Sequence, residues 1–143
     1  LPVVTGEKPA APAAGAAPEV DATRFAQLDA YLSGLPEGFG TISAANLNVA
    51  LAETKPFVVD VRSAEELAAD GDIEGSVNMP VVEVWTRLAE LPKDKTAPIV
   101  VMCKSGHRGA LVAMALQMNG YTDVKNLGGG LGAWVAAELP VVK

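Results

Sequence analysis

The chain has 143 residues, half of them apolar, which is enough for one ordinary domain with its own core. Its formal charge of −6 argues against a nucleic-acid binder and gives an anionic substrate no long-range attraction, so any anion has to be caught by a local cluster of positive groups. One cysteine excludes an internal disulfide and a cysteine-rich zinc site; no metal site or cofactor is expected, and no apolar run approaches the roughly 20 residues of a membrane span.

Residues 1–20 read as a flexible linker, because EKPAAPAAGAAP at 7–18 offers almost nothing to bury. A linker of this composition often follows a removed signal peptide or lipid anchor, which favours an exported location. An unpaired cysteine sits more comfortably in a reducing compartment, which favours the cytoplasm. Residues 21–40 form an expected helical extension: Asp21 can cap a helix over 22–32, with Phe25, Leu28 and Leu32 on one face, and GLPEGFG at 34–40 breaks it. The main domain is expected over 41–143. Ser43 can cap a second helix running to about Glu53, with Leu47 and Leu51 inward, and Pro56 closes it. The helices over 21–53 would serve either as a docking surface or as ordinary packing onto the domain.

FVVDV at 57–61 is a short apolar run suited to a strand buried on both faces, as in a parallel sheet. Ser63 and Glu66 have capping-box spacing, so a helix starts there, and Gly71 ends it. VNM at 77–79 predicts a short strand, Pro80 to Leu91 a helical stretch, and PKDKTAP at 92–98 a surface loop. IVVMC at 99–103 is the most strand-like segment. Residues 109–118 predict a buried helix stopped at Gly120. DVKNL at 123–127 is a further strand, GGG at 128–130 a tight turn, and LGAWVAAEL a last helix ended by Pro140. Strands alternate with helices at short intervals, which predicts an α/β fold with a mostly parallel sheet.

The only cysteine and the only histidine stand together in CKSGHR, 103–108, between a strand and a helix. In such folds ligands bind beyond the carboxyl ends of the strands, where the next helix begins. The amides that open that helix have no intrahelical partners and can converge on an anion, and Gly106 lets the loop curl. Lys104 and Arg108 add positive charge, which favours the thiolate of Cys103. A lone cysteine elsewhere is more often a small buried hydrophobe, and a lone loop histidine such as His107 is usually only solvated.

The loop CKSGHR resembles the Cys-x-x-Gly-x-Arg active-site loop of the rhodanese sulfurtransferases. The resemblance extends to FVVDVRSAEEL at 57–67, GDIEGSVNMP at 71–80 and NLGGGLGAW at 126–134, in order over about residues 41–140. It implies a rhodanese-like three-layer fold, a mostly parallel central sheet flanked by helices. It further implies transfer of a sulfane sulfur from a small anionic donor such as thiosulfate to a thiol or cyanide acceptor, through a persulfide on Cys103. By the same resemblance, backbone amides of Lys104, Ser105, Gly106, His107 and Arg108 would bind the persulfide, and Lys104 and Arg108 would hold the donor. Asp60 and Arg62 would shape the strand end beneath the loop.

Two positions depart from the family pattern: Asp72 stands where His is usual, and Gly109 where Ser is frequent. Two other readings remain. Some rhodanese-like domains are non-catalytic adaptors, often without the cysteine. The related cysteine phosphatases and arsenate reductases usually have five residues between Cys and Arg and a His before the Cys; here four residues intervene, and Met102 precedes Cys103.

Overall fold

The computed structural model describes residues 19–143 together with Ala10 and Gly15. Most of the linker expected over 1–20 therefore lies outside the described residues. No helix among the described residues is long and apolar enough to cross a membrane.

Helix α1, Ala22–Ser33, belongs to a unit that ends at Gly34; the second unit begins at Leu35 and runs to Lys143. Asp21 caps α1 by accepting the Arg24 N–H, and Phe25, Leu28 and Leu32 are exposed.

In the second unit the described strands are β1 (Thr41–Ile42), β2 (Phe57–Asp60), β3 (Val77–Asn78), β4 (Ile99–Met102) and β5 (Val124–Leu127). They form one sheet in the order β1-β5-β4-β2-β3, with every pairing parallel. Every residue of the central strand β4 is buried, as its unbroken apolar run requires for a strand covered on both faces.

Successive side chains leave a strand on opposite faces, so the sheet builds two cores. Val59, Val61, Ile99, Val101 and Cys103 pack with Val112, Ala113 and Leu116 of α4 (His107–Met118). On the other face Val58, Val100, Met102 and Leu127 pack with Leu47 of α2 (Ala44–Glu53) and with Leu131 and Trp134 of α5 (Gly130–Ala136). The result is three layers. Ser63 and Glu66 form the expected capping box at the start of α3 (Ala64–Asp70), each satisfying an amide of the other.

Three stretches differ from the sequence reading. Residues 80–91 hold two short 3₁₀ turns, Val84–Thr86 and Leu88–Glu90, in place of one helical stretch. The segment lies between Pro80 and Pro92 and is rich in β-branched valines, and it needs only Val84 and Leu91 buried. Helix α4 starts at His107, two residues before the apolar run, because Gly106 at φ 95° ends the loop and the chain turns helical at once. It is also not buried all round: Leu111 and Met118 are exposed. Helix α5 stops at Ala136, before the expected end, and Glu138 adopts φ 57° ahead of Pro140.

Candidate active site

Cys103 lies one residue past β4, whose last residue, Met102, pairs with Asp60 of β2. Its side chain falls on the α4 face and is 1% exposed. The sulfur accepts the Gly106 N–H at 3.1 Å. This requires a turn of three residues, Lys104 to Gly106, closed by the positive φ of Gly106. A Cβ there would also press against the Gly129 amide at 3.2 Å.

Helix α5 fixes the other side of the loop. The Leu131 N–H donates to the Cys103 carbonyl at 2.8 Å and the Gly132 N–H to the Lys104 carbonyl at 3.0 Å. A trans peptide sets its N–H opposite its C=O, so the Lys104 and Ser105 amides turn away from α5. The first amides of α4, at His107, Arg108 and Gly109, have no acceptor within their helix. The carbonyls of Cys103 and Lys104 are thus spent on α5 while the Gly106 amide is aimed at the Cys103 sulfur, an arrangement suited to a bound anion. Gly130 is required for it: a Cβ at that position would overlap the Cys103 carbonyl oxygen and the Lys104 backbone.

The charged side chains of the loop meet partners that the sequence reading missed. Arg108 makes a two-pronged pair with Glu66, with both N–H···O contacts at 2.7 Å. Lys104 Nζ meets Asp70 at 3.1 Å. Both carboxylates come from α3, four residues apart and hence on one helix face. That spacing is visible in SAEELAAD, where the sequence alone assigns Glu66 only a capping role. The Arg108 guanidinium, with help from the Ser63 amide, holds the Glu66 carboxyl down at about 2. Glu66 in turn raises Arg108 above its ordinary value, and the nearby Cys103 sulfur adds to the rise. Ser105 Oγ and His107 Nδ1 lie 3.0 Å apart, so these two loop side chains engage each other.

Beneath the loop, Asp60 and Arg62 are fully buried and joined at 2.6 Å. Arg62 also donates to the Gly71 carbonyl at 2.8 Å, and Asn78 Nδ2 donates to the carbonyls of Asp60 and Arg62. Asp72, at the position where His is usual in the resembling family, accepts the Ile73 N–H and the Ser76 hydroxyl and lies 3.5 Å from Arg62. Burial pushes its carboxyl up, and the neighbouring Asp60 charge adds to that. At the other departure, a Cβ on residue 109 would overlap Asn126 Oδ1, so the Asn126 side chain fills the space a serine would need. Among the described residues no three His, Cys, Asp or Glu side chains converge as a metal site.

A parallel α/β domain with a cysteine in an amide-lined loop beyond its central strand is the class that this geometry defines. The family model of the rhodanese-like domain matches residues 43–137. The chain is 35% identical to a sulfurtransferase of Allochromatium vinosum over 102 residues, which cover 71% of this chain and 92% of that protein. It is 34% identical to the human thiosulfate:glutathione sulfurtransferase over 113 residues, covering 71% of this chain and 97% of that one. The crystal structure of a rhodanese-related protein from Thermoplasma volcanium superposes with a TM-score of 0.64 at 29% identity, covering 71% of this chain and 96% of that chain. The chain belongs to the rhodanese-like domain family.

Proposed function

We propose that the protein is a sulfurtransferase in which Cys103 carries a sulfane sulfur from a small anionic donor, with thiosulfate as the reference donor, to a thiol or cyanide acceptor. The observation that carries this reading is the Gly106 amide aimed at Cys103 Sγ from a loop whose carbonyls are held away by α5. The sulfurtransferase names of the relatives support it.

In the first half-reaction the Cys103 thiolate attacks the outer sulfur of thiosulfate. A new S–S bond forms, the old one breaks, and sulfite leaves with the electron pair. The terminal sulfur of the persulfide then carries the negative charge, and the amides of residues 104–108 stabilise it as fixed dipoles that need no reorganisation. In the second half-reaction an acceptor thiolate, or cyanide, attacks that terminal sulfur and releases the Cys103 thiolate.

The test is intact mass. Thiosulfate adds the mass of one sulfur atom to the protein, and cyanide removes it. Cys103→Ser abolishes both changes, because the chain has no other cysteine. A Cys103→Ser protein that still transfers sulfur would refute the assignment.

A further inference from the structure

We propose that Glu66 and Asp70, the two α3 carboxylates on the loop, make the site select singly charged sulfane-sulfur donors over dianionic thiosulfate; the inference rests on the sulfur-transfer reading above. The loop 103–108 contains two cationic side chains, Lys104 and Arg108, and each is met by one carboxylate. Their charges cancel in pairs at the rim. The chain as a whole carries −6 and supplies no compensating attraction. What remains for an anion is the set of loop and helix amides, whose partial charges match roughly half an elementary charge at a helix start. That suits one negative charge, such as the terminal sulfur of a persulfide. A second negative charge meets Glu66 and Asp70, and the two cations of the loop are already paired with them.

Glu66 is the stronger of the two. Its pair with Arg108 has two short contacts and is partly shielded, whereas Lys104 is 61% exposed beside Asp70. Arg108 also holds the Glu66 carboxyl ionised across the whole working pH range.

Methanethiosulfonate isolates the variable. It presents the same outer sulfur on a sulfonyl group, with a methyl in place of one charged oxygen. The Cys103 thiolate attacks that outer sulfur, the S–S bond breaks, and methanesulfinate leaves with the electron pair. Thiosulfate reacts in the same way and releases sulfite.

The experiment follows persulfide formation on Cys103 of the full chain by intact mass, at graded concentrations of each donor. The readout is the rate constant for thiosulfate divided by that for methanethiosulfonate. Glu66→Gln keeps an acceptor for the Ser63 amide and is expected to raise this ratio about ten-fold, a rise that shrinks with added salt. Asp70→Asn is expected to raise it about two- to three-fold, in line with its exposure; it carries the test if Glu66→Gln does not fold. A ratio unchanged in both variants, with both donors active, overturns the inference. So does an equal loss of both rates, which would make Glu66 only a brace for the loop. If neither donor persulfidates the wild type, the sulfur-transfer reading fails and this inference falls with it, a result distinct from an unchanged ratio.

Discussion

Arg62 and Arg108 make the same bond in two different places. Each is an arginine gripping a carboxylate at 2.6 to 2.7 Å. Arg62 and Asp60 are fully buried at the end of β2, where Asp60 accepts the Arg62 N–H and Arg62 also donates to the Gly71 carbonyl beneath the loop. Arg108 and Glu66 stand at the rim and stay partly in water. A buried pair is expensive to break, because the survivor is left as an uncompensated charge. A rim pair contributes little to stability, since water screens both members, and it is free to govern what approaches the sulfur. The sequence shows both arginines with equal clarity, yet only Arg108 stands in the Cys103 loop and reaches water.

The comparison breaks most sharply at Arg62. Arg62→Met strands Asp60 in the core and is expected to cost about 3–5 kcal/mol. For a domain of this size that corresponds to a fall in Tm of more than ~10 °C in a thermal melt. A loss of only a degree or two would mean that Asp60 takes up a proton or finds water. Arg108→Met is expected to behave in the opposite way. It should cost about 1 kcal/mol or less, while the rate of Cys103 persulfidation by thiosulfate falls about ten-fold or more, since Glu66 then faces the donor unpaired. Equal damage to stability and rate would place Arg108 in the same structural class as Arg62.

The smallest effect is in acid. Glu66 is held down at about 2 against an ordinary 4.5, so its contribution to stability is present above 4.5 and is lost as pH falls toward 2. The stability gap between wild type and Glu66→Gln should therefore close over that window in pH-resolved melts. Asp72 has the opposite sign. Its carboxyl is pushed up by burial, so its contribution is full below 3.8 and is lost as pH climbs through its raised folded value. Asp72→Asn should gain on the wild type as pH rises above 3.8. Gaps that move in the same direction for both variants would contradict the assigned environments.

Much of the fold was legible because each element carries its own local signal. The apolar run of β4, the capping box at Ser63 and Glu66, and the cap at Ser43 are readable without knowing what packs on them. The segment over 80–91 was not legible as 3₁₀ turns, because its apolar spacing resembles a helix and only the placement of Val84 and Leu91 in the core shows how little helix is needed. The exposure of Leu111 likewise follows from which face of α4 meets the sheet, not from its side chain.

The candidate site divides in the same way. Cys103, Gly106 and Arg108 could be read from CKSGHR, because a thiol past a strand end, a residue free to take positive φ and a cation at a helix start are properties of residue types and spacing. The sequence by itself therefore determined the layered α/β plan and the loop that carries the sulfur. Only the tertiary structure decided what surrounds that loop. Helix α5 takes the carbonyls of Cys103 and Lys104, and α3 brings Glu66 and Asp70 onto Arg108 and Lys104 from about 40 and 30 residues away. Contacts between residues so far apart in the chain leave no mark in local pattern, since they arise where parallel strands bring separate helix ends to one edge of the sheet.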